Sequence, residues 1–185
     1  VVEALEDAWA KTKFATVVIR PRDPNADAMR AAVRLEDEGK YALAAHAYRE
    51  ILQKDPNAAL AWTNLGNAEM HVGRRAAAEE AFRKALEIDP ASADTLNNLA
   101  WLLYEDKRFE EAEALARKAV AANAPDSWTR LDTLARILAA RGNCAEAQQT
   151  FGFAIRAVPK TKAETRAELE KAAGEPCASV VARSE

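Results

Sequence analysis

The sequence predicts an all-α fold: a solenoid of antiparallel helix pairs, preceded by a short extended segment. Three observations point there. Alanine dominates the 185 residues while glycine and proline number only 6 and 7, a composition that favours helix. Pro56, Pro90, Pro125 and Pro159 recur at steps of 34, 35 and 34 residues. Gly39, Gly73 and Gly142 keep step with them, and Lys107 stands where the third glycine of that series falls.

Each unit between these markers holds two amphipathic stretches of roughly 13 residues, with apolar positions recurring at three and four. The glycine ends the first stretch, where a left-handed residue costs least. An Asp-Pro, as in Asp55-Pro56 and Asp89-Pro90, stops the second, because the residue before proline avoids the helical region. An alanine recurs in the second stretch as Ala44, Ala78, Ala112 and Ala147, followed four residues on by Tyr48, Phe82, Ala116 and Phe151. In the first stretch a small residue recurs as Ala32, Gly66, Ala100 and Ala135. Small residues at fixed places let neighbouring helices approach. A helix pair cannot bury its apolar face alone, so stacking the pairs makes the core.

This pattern resembles the tetratricopeptide repeat. The second unit, AWTNLGNAEMHVGRRAAAEEAFRKALEIDP over 61–90, carries Trp62, Leu65, Gly66, Gly73, Ala78, Phe82, Ala85 and Pro90 at the family's signature places. The first unit (25–56) and the fourth (128–159) match from the turn onward. The third departs twice, with Lys107 for the turn glycine and Ala116 for the aromatic. The resemblance implies a right-handed superhelix with four repeats over 25–160. The stretch TKAETRAELEKAA, within 161–174, takes the place of the family's C-terminal capping helix, and 175–185 is a tail.

Residues 1–24 stand apart. FATVVIRP at 14–21 reads as a β-strand with no partner strand in the chain, so its backbone groups must pair elsewhere. It is either the remnant of an upstream domain, a strand pairing with its copy in a homodimer, or an arm on the repeats. The longer LEDAWAKTKFATVVIRP resembles the closing segment of the papain-like, double-glycine-type peptidase domain that precedes such repeats in some bacterial proteins. That resemblance implies an accessory role, with the repeats recruiting substrate or a transporter.

Two cysteines remain. Cys144 lies in the turn that opens the second helix of repeat four, and Cys177 follows the capping helix in GEPC. If the capping helix packs antiparallel to residues 145–157, the two elements have similar length and the chain returns Cys177 close to Cys144. A disulfide there implies export, to the periplasm or cell envelope; two free thiols would suit the cytoplasm.

Nothing in the sequence assembles catalytic chemistry. The only histidines, His46 and His71, sit in different repeats and away from either cysteine, so no Cys–His nucleophile pair forms. There is no CxxC or close histidine pair for a metal, no phosphate-binding glycine loop and no cofactor motif. The net charge of −3 with both signs interspersed gives no basic face for nucleic acid, and no apolar run reaches the length of a membrane span. The reading is a non-enzymatic scaffold.

Function then rests on the groove, which in the tetratricopeptide fold is lined by the first helix of each pair. In DTLNNLAWLL (94–103), Leu96, Leu99, Ala100 and Leu103 form one stripe, and Asp94, Asn97, Asn98 and Trp101 form another. At 3.6 residues per turn the two lie on opposite sides. Leucines take the core, so the Asn-Asn-Trp stripe faces the groove. Shifting by the repeat adds Leu60, Thr63, Asn64, Asn67 and His71 from the second unit, Met29, Arg30, Val33 and Asp37 from the first, and Thr129, Asp132, Thr133 and Arg136 from the fourth. Asparagine offers both a donor and an acceptor to the backbone of an extended peptide, and tryptophan offers large contact area with few rotors to freeze. The expected ligand is an extended peptide or partner helix. Self-assembly through the groove or the 14–21 strand is the remaining alternative.

Overall fold

The computed structural model describes residues 24–122 and 127–174. The 14–21 segment and Cys177 lie outside them. Among the described residues the chain forms α1 (Pro24–Asp37), α2 (Tyr41–Lys54), α3 (Ala59–His71), α4 (Arg75–Ile88), α5 (Ala93–Glu105), α6 (Phe109–Ala121), α7 (Ser127–Ala140), α8 (Cys144–Ala157) and α9 (Ala163–Gly174). Each helix packs on the next, and α3 also touches α5 and α5 touches α7. The first helices of successive pairs therefore share one side of an all-α solenoid, with α9 closing the stack against α8.

The punctuation acts as the spacing predicts. Gly39, Gly73 and Gly142 adopt φ of 71°, 77° and 80°, and Lys107 adopts φ 60° at the equivalent turn. The turn geometry is thus imposed by the repeat, and a lysine accepts the left-handed conformation that glycine takes elsewhere. Asp55 (φ −134°, ψ 86°) and Asp89 (φ −126°, ψ 87°) leave the helical region just before their prolines. Their carboxylates then accept from Asn57 N at 3.1 Å and Ala91 N at 3.2 Å, closing the connection.

The recurring positions form the core. Ala32, Ala44, Tyr48, Ala78, Phe82, Ala100, Ala112, Ala116 and Ala135 are all completely buried. In α5 the leucine stripe Leu96, Leu99 and Leu103 is buried with Ala100, so the sequence register holds. In the third unit, where Ala116 replaces the aromatic, Leu99, Leu102, Leu103, Ile137 and Leu138 supply the bulk around it.

Ion pairs tie the second helices together. Arg108, in the turn before α6, bridges Glu79 of α4 at 2.8 Å and Glu111 of α6 at 2.6 Å. Glu113 of α6 pairs with Arg117 at 2.8 Å and with Arg141 from the turn before α8.

Candidate functional site

The first helices bound an open groove of about 730 Å³. Its wall is assembled from four of them. α1 gives Glu36 and Asp37, α3 gives Asn67, Met70 and His71, α5 gives Asn97, Asn98, Trp101 and Glu105, and α7 gives Trp128, Thr129, Asp132 and Thr133. Tyr41 and Arg75, the opening residues of α2 and α4, complete it.

At its centre the Asn98 side-chain nitrogen donates to Asn67 Oδ1 across 2.8 Å, bridging α5 and α3. Beside them Asn97 Oδ1 is shut off from solvent and has no hydrogen-bond partner, and Trp128 Nε1 is a buried donor in the same condition. Trp101 donates through Nε1 to Glu105 Oε1 at 3.1 Å and leans on Tyr104, with ring centroids 5.3 Å apart. This holds the indole along its own helix rather than in the core.

The two ends of the groove differ in charge compensation. Glu105 faces Arg75 at 2.8 Å, and Arg75 also reaches Asp106 at 2.6 Å. Asp132 faces Arg136 at 2.8 Å; burial still holds its carboxyl above the usual range despite that guanidinium. At the α1 end, Glu36 accepts from the Tyr48 hydroxyl at 2.8 Å, and burial pushes its carboxyl up. Tyr41 and His71 stack there, with centroids 4.0 Å apart and planes 8° from parallel.

Of the residues the sequence nominates, Asp37, Asn67, His71, Asn97, Asn98, Trp101, Thr129, Asp132 and Thr133 come together on this wall. Thr63 does not: it is buried, its hydroxyl donating to Ala59 O at 3.1 Å and meeting Thr95 Oγ1 at 2.7 Å. The stripe shift fails at Thr63 because α3 and α5 touch laterally at that point, and a short hydroxyl serves the helix contact. Asn64 is half-buried, with its amide nitrogen 3.9 Å from Met29 Sδ, outside the groove wall. Arg30 is exposed and pairs with Asp27. Arg136 contributes through Asp132 rather than on the wall itself.

The sequence reading missed Glu36, Tyr41, Arg75, Glu105 and Trp128. Its own rule could have found some of these. One repeat beyond Asp94 lies Trp128, and Tyr41 and Arg75 are 34 residues apart in equivalent turns. Among the described residues, no group of three or more His, Cys, Asp or Glu is placed to hold a metal. No described helix is long and apolar enough to cross a membrane.

A solenoid of paired helices with a polar and aromatic groove defines a protein-interaction scaffold of the tetratricopeptide class. The chain belongs to the family described as the cilia and flagella-associated protein 70 middle TPR-like domain, whose model matches residues 29–154. A search of curated proteins returns no match. Among solved structures, the chain is similar to PilW, a widely conserved type IV pilus biogenesis factor, at 25% identity and a TM-score of 0.70. That match covers 75% of this chain and 64% of PilW, so the chain spans less than two thirds of that protein's length. PilF of Pseudomonas aeruginosa is similar at 24% identity and TM-score 0.70, over 87% of this chain and 76% of its own. MamA is similar at 22% identity and TM-score 0.63, over 69% and 74%. The latter two likenesses are of fold alone.

Proposed function

We propose that the chain is a non-catalytic module that binds an extended peptide, or a helix of a partner protein, in the groove between its first helices. The observation that carries this is the Asn98–Asn67 amide pair. One hydrogen bond between two amides leaves the Asn67 nitrogen as a donor and the Asn98 oxygen as an acceptor. Those two groups match the carbonyl and N–H of a peptide backbone whatever its side chains. Trp101 beside them supplies the apolar anchor. Replacing Asn67, Asn98 and Trp101 together by alanine is expected to abolish enrichment of displayed random peptides while far-ultraviolet dichroism stays helical. Undiminished enrichment by the triple variant would refute the groove.

This reading includes a place in the bacterial cell envelope, supported by the likeness to a pilus biogenesis factor, and a Cys144–Cys177 disulfide that would accord with it. Two facts support the bridge. Cys144 begins α8, and α9 follows α8 through a short turn in which Arg166 Nη2 donates to Val158 O at 3.0 Å. Leu169, Ala172 and Ala173 of α9 pack in one cluster with Phe151 and Ala154 of α8, so the two helices lie side by side. Intact mass after alkylation, with and without reductant, checks it: two added groups only after reduction are expected, and two in the unreduced native protein would refute the bridge.

A further inference from the structure

The extended run FATVVIRP at 14–21, outside the described residues, has no role in the repeats. Every regular element among the described residues is a helix, and a helix pairs its backbone groups with one another. No sheet edge is there to take the N–H and C=O groups of an extended run, which must still be paired. Side chains can do it where they offer a donor and an acceptor together. The groove has such a place in the Asn67 nitrogen and the Asn98 oxygen that remain beside their mutual hydrogen bond. Trp101 and Met70 on the same wall suit the apolar side chains of Val17, Val18 and Ile19.

Reach and charge agree with this. The segment joins α1 at Pro24, and α1 meets α3 directly, with Asn64 Nδ2 3.9 Å from Met29 Sδ. Asn98 lies two repeats on from Arg30, so two first-helix spacings of about 10 Å and a rise of about 9 Å from Pro24 to Arg30 put it about 22 Å away. About seven extended residues at roughly 3.3 Å each cover that distance, which brings Val17 to Asn98. Lys11, Lys13, Arg20 and Arg22 give residues 11–22 four cations and no carboxylate. The wall carries Glu36, Asp37, Glu105 and Asp132 against Arg75 and, behind Asp132, Arg136.

We propose that residues 11–22 lie across the first helices of their own chain as the groove's resident ligand, which an outside peptide must displace. The inference rests on the groove reading above and names the occupant of that site. A tether this short holds the segment at an effective concentration on the order of 1 mM. An intrinsic Kd of about 100 μM then weakens outside ligands about tenfold.

The test compares the full chain with its Val17→Asp/Val18→Asp variant, in which neighbouring residues put a charge on both faces of the extended run. Far-ultraviolet dichroism checks that the repeats are folded in both, and Lys13→Glu/Arg20→Glu is a second variant expected to act in the same direction. The probe is a fluorescein-labelled synthetic peptide of residues 11–22. It is expected to bind the variants about tenfold or more tightly than the wild type, to lose that affinity when Trp101→Ala is added, and to meet a wild type that sediments as a monomer at every concentration. Equal binding to wild type and variants, or binding to none of them, overturns the resident segment. A concentration-dependent wild-type dimer that the variants lack makes a second copy the occupant and also overturns it. In each of these cases the groove reading stands if display-selected peptides still need Trp101; enrichment indifferent to Trp101 overturns both.

Discussion

The Phe82 ring lies so close over Gly66 that a β-carbon added at Gly66 would meet Phe82 Cε1 at 2.5 Å. This contact sets the distance between α3 and α4. The third unit solves the same problem differently, with Ala100 opposite Ala116, both completely buried. Gly66→Ala is expected to lose about 1–3 kcal/mol through overpacking, although alanine is the better helix former. Adding Phe82→Ala should recover part of that loss, so that the double variant is less destabilised than the two single losses summed, by about 1 kcal/mol or more. Urea unfolding of the four proteins measures the coupling; strict additivity would contradict it.

Glu69 is a buried charge on α3, its side chain 1% exposed, held by Arg49 from α2 and by Arg74 at 3.3 Å. Both arginines are about half exposed, so water can take over their hydration if the carboxylate goes. The carboxylate has no such recourse. One repeat on, Leu103 occupies the equivalent position, also fully buried. Arg49→Met/Arg74→Met is therefore expected to cost about 3 kcal/mol, while Glu69→Leu stays within about 1 kcal/mol of the parent. Equal losses in chemical denaturation would contradict this asymmetry.

Acid should loosen the ladder of second helices. Burial works to raise the Glu79 carboxyl, but hydrogen bonds from Arg108 and Arg83 outweigh it and hold the group below its ordinary range. Glu113 is likewise lowered, burial being outweighed by Arg141 and Arg117. Glu111 is lowered chiefly by the hydrogen bond from Arg83. A carboxylate depressed in the folded state contributes stability that is present above its unfolded value, about 4.3, and lost as pH falls through the folded one. Glu36 and Asp132, raised by burial, act with the opposite sign: their contribution is present in acid and lost as pH rises through their folded values. The expected profile is a decline in urea midpoint from pH 5 towards 3, flattened in Arg83→Met/Arg108→Met. A variant that keeps the wild-type slope would contradict the assignment.

The helices and their order were legible because turn chemistry repeats. Pro56, Pro90 and Pro159 mark helix ends whatever else changes, and the register was firm enough to place Lys107 in a left-handed turn where residue type alone argued against it. Asn97, Asn98 and Trp101 were separable from the leucines because helical periodicity fixes sides within one helix. Thr63 was misplaced because its surroundings depend on how α3 sits against α5, a rotation between pairs that no single helix encodes. The acidic α1 end was only partly legible for a similar reason: the register put Asp37 and His71 on the groove side but not Glu36 or Tyr41. Glu36 and Asp37 on α1, His71 on α3 and Tyr41 at the start of α2 meet only once the turns fold.

We propose that the first helices, with Asn67, Asn98 and Trp101 among their side chains, hold the ligand. It is tested most directly by following backbone and side-chain amide NMR signals as a display-selected peptide is titrated into the labelled chain. Shifts concentrated on α3, α5 and α7, with the Asn67 and Asn98 side-chain amides and the Trp101 indole N–H among the largest, are the expected result. Shifts confined to the second helices α2, α4 and α6, with those three side chains unmoved, would contradict it.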